Sequence, residues 1–226
     1  MQGSAVVDVR LNVILDPEHA GGRPLPELAR AAVAGGATLL QYRDKTAETG
    51  ELVATARAIL SAIEGSGVPL LVNDRVDVAL AAGADGVHIG QSDMAPEDAR
   101  RLLGPDPIVG LTVRSMAEAE AAPADLIDYV GIGGVFATTS KQNKNAPIGL
   151  DGLAEICAFL DARAPDLGRV AIAGITAANS ADVIAAGAHG VAVISAVSRA
   201  ADPAAAAAAL RHGVDQPLAT GKAVSA

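Results

Sequence analysis

Cysteine, tryptophan and long apolar runs are scarce in this sequence of 226 residues. It has one cysteine and no tryptophan, and aromatic residues make up 2% of the chain. A single thiol cannot form an intramolecular disulfide and has no partner thiol for a metal site, so we expect a reducing, cytoplasmic location. The longest stretch without Asp, Glu, Lys or Arg runs from Val183 to Ser198 and includes a histidine and two glycines. We therefore expect no membrane-spanning segment.

Basic residues are also in the minority. The chain has 17 Lys and Arg against 26 Asp and Glu, which gives a formal net charge of −9. This balance argues against a surface that binds nucleic acid or anionic lipid through overall charge. Asp8 and Arg10 interrupt the apolar core that a secretory signal would need. Half of the residues are hydrophobic, so a sizeable core is available.

Short runs rich in Val, Ile and Leu alternate with segments of helical periodicity, a pattern typical of strand-helix units around a parallel sheet. Between the first two runs, apolar residues spaced by three and four predict a helix that ends at Gly35 and Gly36. Eight strands are predicted: Leu11–Leu15, Thr38–Arg43, Pro69–Asn73, Gly86–Ile89, Ile108–Val113, Tyr129–Val135, Arg169–Gly174 and Gly190–Ser195.

One heptapeptide occurs twice with a single difference, as Ala81–Val87 and Ala185–Val191, and a looser copy lies at Ala34–Ala37. Each copy is typical of a helix end, a glycine cap and a strand start. Such internal similarity favours a closed (β/α)8 TIM barrel with a parallel eight-stranded core over a doubly wound sheet. We predict one barrel domain over residues 1–212 and a frayed tail over residues 213–226.

Polar residues follow the predicted strands at the end of a barrel where active sites lie. After the second strand, alternation places Gln41, Arg43 and Lys45 on one side of the chain, supplying an amide and two cations for an anionic ligand. An ordinary loop of exposed charges is the alternative. Asp74 and Asp93 follow the third and fourth strands and suit Mg²⁺ that bridges to a diphosphate. Helix N-capping is their alternative.

The segment Phe136–Asn145, after the sixth strand, is rich in hydroxyls, amides and lysines. Its composition is typical of a lid that grips phosphate and excludes water, and equally of a plain loop. After the seventh and eighth strands, Gly174, Ile194 and Ser195 suit the phosphate site that these loops form in many barrels. The sequence therefore predicts two anionic pockets at one mouth.

Two further residues have unremarkable interpretations. His88 lies within the fourth strand, where a hydrogen-bonded packing histidine is as good an interpretation as a role at the mouth. Cys157 lies among apolar residues of a helical stretch, which indicates a small buried side chain rather than a nucleophile.

Five polar motifs occur in order along nearly the whole chain: Gln41-x-Arg43-Asp44-Lys45, Asn73-Asp74-Arg75, Gly86-Val87-His88-Ile89-Gly90-Gln91-x-Asp93, Thr138-Thr139-Ser140-Lys141, and Gly174-Ile175 with Ile194-Ser195. Together they resemble the thiamine-phosphate synthase family. The resemblance implies a barrel transferase that joins 4-amino-2-methyl-5-hydroxymethylpyrimidine diphosphate to 4-methyl-5-(2-hydroxyethyl)thiazole phosphate and releases diphosphate. It also implies that diphosphate leaves first, and that the thiazole nitrogen traps the resulting carbocation.

The same resemblance implies roles for particular residues. The pyrimidine diphosphate would be bound by Gln41, Arg43, Lys45, Asn73, Thr112 and Lys141. Mg²⁺ would be held by Asp74 and Asp93. The thiazole phosphate would be bound by Thr138, Thr139, Ser140, Gly174, Ile194 and Ser195. Charge on the leaving diphosphate would be stabilised by Arg43, Lys45 and Lys141, so no protein nucleophile would be needed.

The chain departs from the family pattern at Thr112-Val113-Arg114, at Ala137 and Thr139, and at Ala173, and it leaves the role of Arg114 open. Two alternatives remain on the same barrel: a relative of the thiazole tautomerases, and a non-catalytic sensor of phosphorylated ligands. As partners we expect two small phosphorylated heterocycles, with no nucleic acid and no membrane. The oligomeric state is open, and a homo-oligomer is compatible with the sequence.

Overall fold

Eight parallel strands form a closed barrel in the computed structural model, which describes residues 7–138 and 146–220, the last four as backbone only. The strands pair in chain order, and β8 closes the barrel against β1, where Leu11 lies opposite Val191. They are β1 (Leu11–Leu15), β2 (Leu39–Tyr42), β3 (Leu70–Asn73), β4 (Gly86–Ile89), β5 (Ile108–Val113), β6 (Tyr129–Gly133), β7 (Gly168–Ile172) and β8 (Gly190–Val193). The predicted (β/α)8 TIM barrel is confirmed.

Helices cover the outside of the barrel, so the strands are buried on both faces and the apolar core lies between strands and inner helix faces. None of the described helices is long and apolar enough to cross a membrane. The described part of the chain contains the short 3-10 helix η1 (Pro17–His19) and the α-helices α1 (Leu25–Ala34), α2 (Thr49–Ala62), α3 (Val76–Ala82), α4 (Pro96–Leu103), α5 (Met116–Ala121), α6 (Gly149–Arg163), α7 (Ser180–Ala185), α8 (Ser195–Ser198) and α9 (Pro203–Thr220).

The repeated heptapeptide performs the same structural task in both copies. Its first glycine ends a helix in a left-handed conformation, with φ of 74° at Gly83 and 101° at Gly187. Its second glycine begins a strand against neighbouring backbone. A Cβ at Gly86 or Gly190 would lie 2.0 or 1.9 Å from a carbonyl oxygen. The repeat therefore reflects two separate steric needs, a turn and a close approach.

Three strands end two residues earlier than predicted. β6, β7 and β8 end at Gly133, Ile172 and Val193. After β7 the chain leaves the extended conformation because Ala173 and Gly174 adopt positive φ angles of 85° and 66°. After β8 the chain enters α8 directly. The residues predicted to end β6 and β7 belong instead to loops at the mouth, and Ser195, the predicted end of β8, begins α8.

The last helix continues past the predicted boundary at residue 212. Helix α9 extends to Thr220, and the side chain of Val214 is fully buried. Gly213 permits close packing against α7, since a Cβ there would lie 2.1 Å from Ser180 Oγ. The frayed chain expected over residues 213–220 is therefore replaced by helix that packs against the barrel. Residues 221–226 lie outside the described range.

Candidate active site

A buried ion pair stands where β1 and β2 end. The Arg43 guanidinium pairs with the Asp16 carboxylate, and their side chains are 14% and 2% exposed. The other Asp16 oxygen accepts the backbone N–H of Glu18 at 3.0 Å and so caps η1. Gln41 is also buried, which leaves Lys45 as the exposed member of the predicted set. The alternative of an ordinary exposed loop is therefore wrong for Gln41 and Arg43.

Two carboxylates meet where β3 and β4 end. Asp74 adopts a φ of 63°, and its carboxylate contacts Asn73 Nδ2 and Lys45 Nζ. Asp93 accepts the backbone N–H of Gly90 at 2.7 Å. Partial desolvation raises the pKa of Asp93 above its usual value, and the neighbouring Asp74 carboxylate raises it further. These contacts bring both predicted metal ligands together.

Neither of these aspartates is a helix N-cap. Helix α3 begins after Arg75 and helix α4 after Ala95, and neither N-cap residue makes a side-chain capping bond. The capping alternative for Asp74 and Asp93 is therefore wrong. Their carboxylates face lysine, asparagine and loop backbone groups, an arrangement that oxygen-seeking cations can use.

A second acidic group lies nearby, at η1. Asp16, Glu18 and His19 each offer one potential metal-ligand atom, and these atoms lie within 4.8 Å of one another. The Asp16 carboxylate is paired with Arg43 and its side chain is only 2% exposed, so little room remains for a hydrated metal ion. Asp74 is paired with Lys45 but is 18% exposed and lies beside the Asp93 carboxylate, so Asp74 and Asp93 are better suited to hold a divalent cation.

A cavity of about 660 Å³ opens beside the ends of β5 to β8. No acidic residue occurs among the described residues that line it, although the chain as a whole is strongly acidic. Five predicted ligand residues line the wall: Thr112, Thr138, Gly174, Ile194 and Ser195. Arg114 and Arg199 line it too, and neither guanidinium has a carboxylate within 4.0 Å in the described ranges. The cavity therefore suits an anion.

The loop after β7 brings backbone close to this cavity. Gly174 cannot be replaced without displacement, because a Cβ would lie 2.6 Å from the Ala137 carbonyl oxygen. Ala173 has a φ of 85°, a conformation that favours glycine. The departure from the family pattern at this residue thus places a side chain at a backbone position where glycine would be unstrained.

His88 links the core to the cavity wall. Its ring nitrogens lie 2.8 Å from the Tyr129 hydroxyl and 2.8 Å from Thr112 Oγ1. Tyr129 is fully buried, and burial raises its pKa far above the ordinary value. The two alternatives left open for His88 are therefore both realised, since it is a packed histidine that contacts a mouth residue.

Some predicted residues lie outside the described ranges, and some described ones were not predicted. Thr139, Ser140 and Lys141 belong to the first group. Asp16, Tyr129 and Arg199 belong to the second. Asp16 could have been found, because it follows β1 as Arg43 follows β2.

Cations and carboxylates lie beside a cavity that no described acidic residue lines, at the mouth of a (β/α)8 barrel, which is the usual place of the active site in barrel enzymes and here suits small anions. The family model for thiamine monophosphate synthase matches residues 11–197. The chain belongs to this family, and it is therefore a transferase of thiamine biosynthesis.

Similar proteins cover nearly the whole chain. A thiamine-phosphate synthase of Agrobacterium fabrum is 53% identical over 94% of this chain and 96% of its own. A thiamine-phosphate synthase of Moorella thermoacetica is 49% identical over 90% of this chain and 95% of its own. The solved structure of a thiamine phosphate pyrophosphorylase from Pyrococcus furiosus is 37% identical and covers 94% of this chain and 98% of its own, with a TM-score of 0.82.

Proposed function

We propose that this chain catalyses the Mg²⁺-dependent coupling of 4-amino-2-methyl-5-hydroxymethylpyrimidine diphosphate with 4-methyl-5-(2-hydroxyethyl)thiazole phosphate, which yields thiamine phosphate and diphosphate. The observation that carries this proposal is the division of the mouth into two regions that suit anions. Cations and carboxylates crowd the ends of β2 to β4, while the cavity beside β5 to β8 has no acidic residue among the described residues that line it. Two phosphorylated substrates need two such regions.

The charged half would bind the pyrimidine diphosphate. The ion pairs of Arg43 and Lys45 with carboxylates hold both cations in place before a ligand arrives, which lowers the entropy cost of binding. Gln41, Asn73 and Thr112 would add hydrogen bonds. Lys141, outside the described ranges, would complete the set and share in stabilising the leaving diphosphate.

Asp74 and Asp93 would hold Mg²⁺. The donor set fits this ion, because two carboxylates meet there, and a cation between them would offset the desolvation and mutual repulsion that raise the pKa of Asp93. Both side chains also reach water, so further positions are left for water and phosphate oxygens. When bound, Mg²⁺ supplies charge neutralisation for a departing diphosphate.

The cavity would bind the thiazole phosphate. Backbone groups of Gly174, Ile194 and Ser195 would hold the phosphate, together with the hydroxyls of Thr138, Thr139 and Ser140. Arg114 and Arg199 would add positive charge to the cavity wall. A volume of about 660 Å³ lies within the usual range for small-molecule sites.

The reaction would need no nucleophile from the protein. The bond between the pyrimidine methylene carbon and diphosphate breaks first, and its electron pair leaves with the diphosphate. The lone pair of the thiazole nitrogen then forms the new carbon–nitrogen bond. Arg43, Lys45 and Lys141 would stabilise charge on the leaving group. The one cysteine, Cys157, is buried in α6, and burial raises its pKa to about 11.

The test mixes purified protein with both substrates and Mg²⁺ and measures thiamine phosphate through its fluorescent oxidation product. Product in the complete mixture, and in none that lacks a component, is the expected result. Asp74→Asn and Asp93→Asn should each lower turnover at limiting Mg²⁺ by roughly tenfold or more. The control is Asp77→Asn, an exposed carboxylate paired with Arg75 near the same strand end, and its turnover should not change.

Three outcomes would contradict the proposal. Unchanged turnover in Asp74→Asn at limiting Mg²⁺ would remove that residue as a ligand. Binding of both substrates without product would indicate a sensor. Conversion of thiazole phosphate alone would indicate a relative of the thiazole tautomerases.

A further inference from the structure

Hydrogen-bonded side chains cross the barrel interior from β6 to the cavity. The Tyr129 hydroxyl lies 2.8 Å from His88 Nδ1, and His88 Nε2 lies 2.8 Å from Thr112 Oγ1. Tyr129 is fully buried at the start of β6, whereas Thr112 lines the cavity near the end of β5. These contacts connect a side chain sealed in the core with one that a ligand can touch.

Two glycines on neighbouring strands make room for the two rings. A Cβ at Gly110 of β5 would lie 2.3 Å from Tyr129 Cζ. A Cβ at Gly131 of β6 would lie 3.0 Å from His88 Cε1. Any larger residue at Gly110 would displace the phenol ring and its hydroxyl. The backbone therefore determines where both rings can lie.

The direction of each hydrogen bond follows from the buried hydroxyl of Tyr129. The acceptor within reach of the buried Tyr129 hydroxyl among the described residues is His88 Nδ1, because Asn12 Oδ1 accepts no hydrogen bond there. Burial also raises the pKa of Tyr129, so the phenol keeps its proton. The phenol proton is then donated to His88 Nδ1. A neutral imidazole that accepts at Nδ1 carries its hydrogen at Nε2, and this hydrogen is donated to Thr112 Oγ1.

The consequence appears at the hydroxyl of Thr112. Its oxygen accepts a hydrogen bond from His88, which leaves its single proton to be donated into the cavity. With the opposite tautomer, Thr112 would donate its proton to His88 Nε2 and present only lone pairs to a ligand. Lone pairs repel an anion, whereas a hydroxyl donor binds it.

We propose that Tyr129 is a positioning residue that holds His88 in the Nε2–H tautomer and thereby makes the Thr112 hydroxyl a hydrogen-bond donor to the phosphate oxygens of the substrate. The identity of that substrate rests on the function proposed above. The tautomer of His88 does not depend on it.

The tautomer can be measured in the ligand-free protein. Long-range ¹H–¹⁵N correlation spectra distinguish the protonated nitrogen of each imidazole, and a His88→Gln variant identifies the His88 signals among the four histidines. We expect the Nε2–H form near pH 8. The Nδ1–H form, or a doubly protonated ring, would overturn the proposal. This measurement needs no variant that must fold with an altered core.

Tyr129→Phe tests the cause of the preference. It retains the ring and removes the donor to Nδ1, so we expect His88 to shift toward the Nδ1–H form. Tyr42→Phe is the matched control, since Tyr42 is the other tyrosine, is similarly buried, and hydrogen-bonds Thr55 instead. A spectrum unchanged in Tyr129→Phe would overturn the proposal, and so would the same change in both variants.

Turnover tests the last step. Tyr129→Phe and Thr112→Val should each lower kcat by roughly tenfold, the effect of losing one hydrogen bond to a charged group. The double variant should be no slower than Thr112→Val alone, because both changes act through one hydroxyl. Multiplied losses in the double variant would refute this step. Absence of thiamine phosphate with unaltered protein would instead refute the proposed function and leave the tautomer result standing.

Discussion

Replacing Asp16 with asparagine tests how strongly the mouth depends on its buried ion pair. The side chains of Asp16 and Arg43 are 2% and 14% exposed. Removing one partner of a buried pair leaves an uncompensated charge and costs about 3 to 5 kcal/mol. Asparagine can still accept the Glu18 N–H that caps η1, so that contact is retained. Because Arg43 also reaches some water, we expect the lower end, about 3 kcal/mol.

The matched control is Asp8→Asn. Asp8 forms the same kind of pair with Arg10 at 2.5 Å, but both side chains are about 40% exposed, and exposed pairs contribute about 0.2 to 1 kcal/mol. Urea unfolding followed by circular dichroism measures both free energies. With a slope of roughly 2 kcal/mol per molar, Asp16→Asn should lower the midpoint by about 1.5 M, and Asp8→Asn by less than about 0.5 M. Equal losses in the two variants would refute the argument from burial.

Four other substitutions probe the backbone and one half-buried histidine, His189. Gly83→Ala should lower the free energy of unfolding by about 1 kcal/mol, because only its φ of 74° disfavours a side chain. Gly86→Ala should lower it by more than about 3 kcal/mol, since its Cβ would lie 2.0 Å from a carbonyl oxygen. Similar urea midpoints for the two variants would contradict this. Ala173→Gly should leave the free energy of unfolding unchanged or raise it by up to about 1 kcal/mol. Removing the backbone strain at a φ of 85° offsets the greater entropy that glycine gives the unfolded chain. A clear loss of stability would contradict this. Burial, then the charge of Arg169, lowers the pKa of His189, so the unfolded chain binds more protons. The free energy of unfolding should therefore fall as pH drops below about 6.5. Urea unfolding at several pH values measures this dependence, and His189→Asn should weaken it.

The barrel could be predicted because its evidence is local. The predicted and observed bounds of β1, β4 and β5 are identical, and the repeated heptapeptide marks two helix-to-strand turns correctly. Strand ends at the mouth could not be predicted as well, because positive φ angles at Ala173 and Gly174 stop the extended chain without a change in hydrophobicity. The frayed tail expected from residue 213 was wrong for residues 213–220, because Gly213 allows close packing against α7 and Val214 is buried there.

The candidate site could be predicted where a motif follows a strand, and less well where distant residues meet. Asp74 and Asp93 were placed correctly at the mouth, yet their contact with each other depends on the backbone turn at Asp74, with its φ of 63°. The role of Tyr129 depends on strand register, which sets it opposite Gly110 of β5. A single residue at the start of a strand gives no such signal in the sequence.

Packing alone does not explain the polar side chains inside this barrel. Glycines at 110 and 131 cost about 0.5 to 1 kcal/mol each relative to alanine. Asn12 Oδ1 is buried without a hydrogen-bond partner among the described residues, which costs about 1 to 3 kcal/mol. Apolar side chains, which fill most of the core, would avoid both costs. Since the costly groups lead from Asn12 through Tyr129 to the cavity wall, their effect on the donor at Thr112 explains them better than stability does.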